Sequence, residues 1–163
     1  MKNSLVLTAG AVAATALSAP AMAGTVTVTI PRVNVAEYHR PYVAVWVEPT
    51  GGGAARTLAV WYDVDKTGHE PGTKWLADLR TWWRKGGRSL AMPANGVSGA
   101  TRAPGSHKIA LPDNLKAGSY TLYVEAAREE GGRELVSTPL TIPAKSARAS
   151  GKTELGAITV APR

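Results

Sequence analysis

The sequence predicts an all-β fold: an immunoglobulin-like sandwich of two sheets, with about seven or eight strands and one inserted α-helix. Two observations predict this. Short segments with alternating apolar and polar residues, or with continuous apolar residues, recur along the chain. Clusters of glycine, proline, asparagine and aspartate lie between them and mark turns. Short strands joined by such turns are typical of a sandwich.

Each predicted strand has a pattern that suits its place in a sheet. Residues 25–30 alternate strictly between threonine and an apolar residue, as expected of a half-buried strand. Residues 42–47 are apolar on both faces, which predicts a central strand. The other predicted strands are at residues 58–62, 108–111, 120–125, 136–142 and 155–160.

Two further segments bear on the sandwich. Tyr120 follows a loop at residues 115–119 and opens an alternating strand, which resembles the tyrosine corner of immunoglobulin-like domains. A simple turn followed by a strand explains the same residues equally well. Residues 143–151 are predicted to form a mobile loop before the last strand.

Residues 74–85 have helical rather than strand periodicity. Leu76, Leu79 and Trp83 are spaced as one face of a helix of about three turns. Thr73 is placed to cap its start, and the two glycines after residue 85 are placed to end it. We expect this helix to close one end of the sandwich and to bury its tryptophans in the core.

The N-terminus predicts export. Lys2 precedes an apolar and alanine-rich run at residues 5–17, and residues 21–23 form the small-x-small pattern of a signal peptidase site. Cleavage after Ala23 would remove residues 1–23 and leave a single sandwich domain at residues 24–163. We therefore predict a periplasmic protein that does not span the membrane after cleavage. The absence of cysteine excludes disulfides, thiolate metal ligands and cysteine nucleophiles.

Positive charge is concentrated in one part of the chain, whose formal net charge is +7. Residues 74–108 contain Asp78 as their only acid. Such a segment attracts anions, which favours an anionic partner or ligand, although a solvated basic face is an equally simple interpretation. Export argues against nucleic acid. The basic residues of the segment are Lys74, Arg80, Arg84, Lys85, Arg88, Arg102 and Lys108.

A loop in the same segment resembles the site of covalent FMN attachment in exported redox proteins, among them subunits of sodium-pumping NADH:quinone reductases and Rnf-type complexes. That pattern is Asp, two variable residues, Ser or Thr, Gly, Ala and then the acceptor Thr or Ser. Ser98, Gly99, Ala100 and Thr101 match it, with Thr101 in the acceptor place. Asn95 stands where the pattern has aspartate, and thus keeps hydrogen-bonding capacity but loses the charge.

The resemblance implies a cofactor and partners. A periplasmic FMN transferase would join the flavin phosphate to the Thr101 hydroxyl by a phosphoester, beside Arg102, and a membrane flavin reductase would supply electrons. The cofactor-binding residues would be Asn95, Ser98, Gly99, Ala100, Thr101 and Arg102. Trp82 or Trp83 would be available to stack on the flavin ring if they were not buried.

A wider resemblance covers nearly all of the chain after the signal peptide. Residues 40–48 (RPYVAVWVE), 74–84 (KWLADLRTWWR) and 98–105 (SGATRAPG) are similar to blocks of domain-of-unknown-function family 2271. This is a family of predicted periplasmic proteins. The resemblance implies an association with membrane flavin-reductase and FMN-transferase systems.

Other patterns are weaker. Residues 63–68 imitate the start of a calcium loop, but Lys74 stands where that loop needs a glutamate. The three histidines, His39, His69 and His107, lack metal-ligand spacing, so we predict no metal site. We see no catalytic residue set. Three roles remain: an electron carrier with FMN on Thr101, a non-redox docking module that uses the basic surface, and a structural accessory protein.

Overall fold

The computed structural model describes residues 23–163. The predicted signal peptide therefore lies outside the described residues, apart from its last residue. The strands are β1 (Thr25–Ile30), β2 (Tyr42–Pro49), β3 (Arg56–Tyr62), β4 (Ser98–Ala100), β5 (Gly105–Ala110), β6 (Gly118–Ala127), β7 (Arg133–Ile142), β8 (Ala147–Ser150) and β9 (Ala157–Ala161). In the described part of the chain, no helix is long and apolar enough to cross a membrane.

The strands form the two sheets of the predicted sandwich. Sheet A has four strands in the order β5-β1-β9-β8, and sheet B has five in the order β4-β3-β2-β6-β7. Strand β1 alternates as predicted: Val26, Val28 and Ile30 are buried, and the threonines between them are half-buried. The apolar side of β1 packs in the core between the sheets.

Strand β2 lies between β3 and β6 in sheet B, and it is buried on both faces as its composition predicts. Val43, Val45 and Val47 belong to the core between the sheets. Ala44 and Trp46 belong to a second apolar core on the outer face of sheet B. The molecule therefore has three layers, of which sheet B is the middle one.

The third layer is a helical segment of residues 72–89. It consists of a 3-10 helix (Gly72–Asp78), the α-helix α1 (Arg80–Arg84) and a second 3-10 helix (Gly87–Ser89). Leu76, Leu79 and Trp82 from this segment fill the second core. The prediction that the segment closes one end of the sandwich is thus wrong, because it covers the outer face of sheet B instead.

The predicted helix at residues 74–85 is present in two pieces, because the chain leaves helical geometry at Leu79 (φ −75°, ψ 69°). Below this break lies the fully buried carboxylate of Glu125 on β6. It accepts hydrogen bonds from the backbone N–H groups of Thr81 (3.0 Å) and Trp82 (2.8 Å), and from the Arg133 guanidinium (2.6 Å). A residue of sheet B therefore caps the start of α1, and Thr73 has no capping role.

Three other sequence-based interpretations can be compared with the fold. The Tyr120 hydroxyl donates to the Lys116 carbonyl at 2.8 Å, which confirms the tyrosine corner. Residues 143–151, predicted as a mobile loop, instead contain β8, which pairs with β9. Strands β4 and β8 raise the number of strands to nine within residues 23–163. Both are too short to give a clear alternating pattern.

Candidate functional site

A cleft with a volume of about 570 Å³ lies on the surface of the described residues. We call it the main cleft. It lies where the end of β3, the helical segment, the loop after β1 and the β6–β7 hairpin meet. Its chemically distinctive lining residues are Tyr38, Asp63, Trp75, Arg80, Thr101 and Arg133. The predicted acceptor hydroxyl of Thr101 thus belongs to the wall of a cleft, with aromatic and charged side chains around it.

Thr101 is held in place by the edge of sheet B. Strand β4 pairs in parallel with β3, so that Gly99 lies opposite Trp61. Immediately after β4, the Thr101 N–H donates to the Tyr62 carbonyl at 3.2 Å. The Thr101 residue is half-buried. Because its backbone is fixed by pairing while its side chain reaches the cleft, the hydroxyl has a defined position.

The carboxylate of Asp63 lies beside this hydroxyl, with Thr101 Oγ1 and Asp63 Oδ1 3.5 Å apart. The other oxygen, Asp63 Oδ2, forms an ion pair with Lys66 Nζ at 2.9 Å, and this hydrogen bond raises the pKa of Lys66. The backbone of Asp63 is packed against Gly72, where any Cβ would collide with the Asp63 carbonyl. No sequence motif connects Asp63 with Thr101, so this neighbour was not predicted.

The residues before Thr101 form a tight turn. Gly96 has φ +71°, a conformation that favours glycine, and the Ser98 N–H donates to the Ala94 carbonyl at 2.9 Å. The Ser98 hydroxyl accepts a hydrogen bond from the Ala94 N–H, also at 2.9 Å. Ser98 therefore stabilises the turn, and the exposed Asn95 lies at its tip.

Strand β4 separates the main cleft from a second cleft of about 520 Å³, which Ser98, Gly99 and Arg102 line. The Arg102 guanidinium lies 5.4 Å from the centroid of the Trp61 ring, within the range of a cation–π contact. The predicted site residues are therefore neighbours, but they do not form one pocket. Thr101 belongs to the main cleft, Arg102 belongs to the second, and Ala100 is exposed between them.

The tryptophans of the helical segment have different environments. Trp82 is only 1% exposed, and its Nε1 donates to Thr57 Oγ1 at 2.9 Å. Trp83 is half-buried and packs against the second core. Trp75 is 43% exposed and lines the main cleft, with Lys74 Nζ 4.8 Å from its ring centroid. Trp75 is therefore the tryptophan of the helical segment that a ligand in the main cleft could contact. The sequence predicted that this residue is buried, because it lies next to the apolar stripe of the segment.

The basic residues of the segment 74–108 do not form a single uniform surface. Lys74 pairs with Glu70 and Lys85 pairs with Glu48, each at 2.9 Å. Arg80 lines the main cleft, whereas Lys108 lines the second cleft. Positive charge is consequently directed into both clefts as well as to the surface.

Another feature of the main cleft lay outside the sequence-based predictions. Tyr38 lines the cleft, and its buried hydroxyl has no hydrogen-bond partner among the described residues. Burial raises the pKa of this hydroxyl, which therefore keeps its proton at neutral pH. A buried donor of this kind is suited to a polar ligand group or a water molecule.

A family model described as "Predicted periplasmic protein (DUF2271)" matches residues 23–157. No curated protein and no solved structure matches the chain.

Proposed function

Because the chain belongs to this family of predicted periplasmic proteins (DUF2271), and because its acceptor-like threonine lies in a cleft, we propose a role in flavin-linked redox chemistry. The protein is an accessory protein of an extracytoplasmic redox system. It carries FMN through a phosphoester on Thr101 and transfers electrons between partner proteins.

The observation that carries this proposal is the presentation of Thr101. An attaching enzyme must reach the hydroxyl, and the flavin must then have space next to it. Thr101 meets both needs, since it follows the edge strand β4 and lines the main cleft. The cleft's volume of about 570 Å³ lies within the range of about 300–1,000 Å³ that is usual for small-molecule and cofactor sites.

The side chains around the cleft suit the parts of FMN. The guanidinium groups of Arg80 and Arg133 are hydrogen-bond donors for a phosphate. Arg133 is already bonded to Glu125, whereas Arg80 has no ion-pair partner within residues 23–163. The exposed ring of Trp75 offers an aromatic face for stacking. These groups support a flavin in the main cleft rather than in the second one.

Asp63 supplies a carboxylate that the sequence motif lacks at position 95. Attachment forms a bond from Thr101 Oγ1 to the phosphorus of a flavin dinucleotide and breaks the bond to its nucleotide leaving group. The hydroxyl proton must leave at the same time. Asp63 Oδ1, 3.5 Å from that hydroxyl oxygen, is placed to receive it.

When bound, FMN supplies the redox chemistry, and the protein controls access to it and tunes it. Positively charged side chains near the ring favour its anionic reduced form and so raise the reduction potential. Arg80 and Lys66 line the cleft and supply such charge, which Asp63 offsets in part through its ion pair with Lys66. The electron partners would be a membrane flavin reductase and a downstream acceptor.

The test is the intact mass of the protein after periplasmic co-expression with an FMN transferase from the same host. We expect a mass increase of one FMN minus one water. Thr101→Ala should abolish the increase, whereas Thr101→Ser, which keeps a hydroxyl, should retain it. Thr67→Ala, which removes an exposed hydroxyl from a nearby turn, is the matched control.

An unmodified mass, obtained while a known substrate of the same transferase becomes labelled, would contradict the proposal. The second candidate would then be a docking module that binds an anionic partner through the basic surface. Arg80 and Arg102 favour this candidate, since neither forms an ion pair within the described part of the chain. Such binding should weaken as salt is added and should tolerate Thr101→Ala.

A further inference from the structure

A cluster of carboxylates surrounds one histidine beside the main cleft. Glu37 and His39 come from the loop after β1, and Glu129 and Glu130 come from the β6–β7 hairpin. His39 Nε2 lies 3.5 Å from Glu37 Oε1, and His39 Nδ1 lies 3.7 Å from Glu129 Oε2. The ligand atoms of Glu37, His39 and Glu130 all lie within 4.8 Å of one another.

Arg40, the residue after His39, lines the same cleft and forms no ion pair within residues 23–163, so the positive charges around this cluster are not all paired. Lys66 and Arg128 both line the same cleft, but each already has a carboxylate partner. Lys66 pairs with Asp63 at 2.9 Å, and Arg128 pairs with Glu154 at 2.8 Å. Three carboxylates nevertheless surround a single imidazole, an arrangement that a bound cation would stabilise.

We propose that Glu37, His39 and Glu130 bind a divalent transition-metal ion, for which Zn²⁺ is the probe. Imidazole nitrogen and carboxylate oxygen bind zinc at about 2.0–2.2 Å, so the three donors must each move inward by roughly 1 Å or less. Glu37 and Glu130 are exposed and His39 is only partly buried, so their side chains can rotate without disturbing the core.

The two ring nitrogens of His39 have separate roles. Nε2 faces the carboxylate of Glu37 and is the metal-binding atom. Nδ1 lies 3.7 Å from Glu129 Oε2, and we expect a small rotation of the exposed Glu129 side chain to bring this oxygen within hydrogen-bond distance, where it accepts the Nδ1 proton and fixes the ring tautomer and orientation. Glu129 is therefore a positioning residue rather than a ligand. This arrangement of carboxylate, histidine and metal is common in zinc sites.

Three protein ligands leave a fourth coordination position open for water or another ligand. His39 and Glu130 both line the main cleft, so the site borders the space in which a ligand would lie. Glu130 lies about ninety residues along the chain from Glu37 and His39, which explains why the spacing of the histidines did not predict this site. The proposal concerns metal binding alone and does not depend on flavin attachment.

The test is calorimetric titration of the purified, chelator-treated protein with Zn²⁺ alone, with no flavin present. We expect one saturable site per chain. His39→Ala should remove it, Glu130→Gln should weaken it, and His69→Ala, which changes an exposed histidine elsewhere, should leave it intact. The unfolding temperature of each variant without metal shows whether the fold is retained.

A second variant tests the positioning role. Glu129→Gln should weaken Zn²⁺ binding by about 10–100-fold without abolishing it, as usual for an outer partner of a ligating histidine. Absence of saturable Zn²⁺ binding to the unaltered protein would overturn the proposal. Zn²⁺ binding that survives in folded His39→Ala would overturn it as well, because the ion would then be bound elsewhere. Thr101→Ala should bind Zn²⁺ normally, so this test and the flavin test can fail separately.

Discussion

At the residue scale, the fold brings the carboxylate of Asp63 next to the hydroxyl of Thr101, the proposed attachment point. The attachment motif has aspartate where this chain has Asn95, whose exposed side chain lies at the tip of a turn. Asp63, from the end of β3, lies 3.5 Å from the acceptor hydroxyl instead. If FMN is attached as we propose, a carboxylate at this distance is better placed to take the proton of the Thr101 hydroxyl than one at the tip of the turn.

Asp63→Asn should therefore slow flavin attachment by about a hundredfold, the usual scale for loss of a proton acceptor. The measurement is the rate of mass increase with purified transferase and flavin dinucleotide. Asp65→Asn, which removes a carboxylate two residues away, is the control and should react at the original rate. Equal rates for Asp63→Asn and the unaltered protein would show that the transferase supplies the proton acceptor itself.

The sequence predicted Thr101 as a candidate site residue, because its motif is local and can be read along the chain. It could not predict Asp63, Trp75 or Tyr38 as neighbours of the same cleft, since each comes from a different segment. Trp75 illustrates the difficulty. It lies beside the apolar stripe of the helical segment, and only the break at Leu79 and the packing on sheet B decide that it remains exposed.

At the scale of elements, carboxylates on the strands join segments that are distant in sequence. Glu125 of β6 caps α1, and thereby fixes the helical segment on sheet B. Glu134 of β7 accepts backbone N–H groups from four consecutive residues, 152–155, which lead into β9. The alternating pattern of residues predicted strands β6 and β7. It did not predict the hydrogen bonds of Glu125 and Glu134, because a glutamate in a strand usually lies on the solvent side.

Glu134 should make the stability of the protein depend on pH. Burial alone would raise its pKa, but the backbone N–H groups of Lys152, Leu155 and Thr153 hold the pKa below its ordinary value of 4.5. The ionised form is therefore favoured by folding. The ionised Glu134 carboxylate contributes fully to the free energy of unfolding at pH values above the pKa that Glu134 has in the unfolded chain. This contribution is lost as pH falls through the lower pKa that Glu134 has in the folded protein.

We expect Glu134→Gln to lower the unfolding free energy at pH 7 by about 2 kcal/mol, since backbone donors lose a charged acceptor. The difference from the unaltered protein should shrink as pH falls below the ordinary value of 4.5 and through the lower pKa of folded Glu134. Urea unfolding at several pH values measures both effects. Asp113→Asn, in an exposed turn, is the control and should change little. A constant difference at every pH would contradict the assignment of the effect to ionised Glu134.

At the scale of the whole molecule, the sequence predicted two sheets but not three layers. Strict alternation in β1 and the two-sided apolar character of β2 follow directly from which faces are buried. The position of the helical segment does not follow from its sequence pattern, because an amphipathic helix can pack either on the face of a sheet or across the end of a sandwich. Tertiary contacts decide between them: Leu76, Leu79 and Trp82 complete a core with the outer face of sheet B.

Since β2 contributes to both cores, the three layers should unfold together. Leu79→Ala, in the outer core, and Leu122→Ala, in the core between the sheets, should each lower the unfolding free energy by about 3 kcal/mol. Leu135→Ala, at a position that is 41% exposed, should change it by less than about 0.5 kcal/mol.

The measurement is urea unfolding followed by far-ultraviolet circular dichroism, which reports on the sheets, and by tryptophan fluorescence, which includes the buried Trp82. The two curves should coincide in all three variants if the layers form one cooperative unit. An early fluorescence change confined to Leu79→Ala, with the sheets intact, would contradict this. The helical segment would then be a separable cover, and the main cleft, which Trp75 and Arg80 line, would depend on whether that cover is docked.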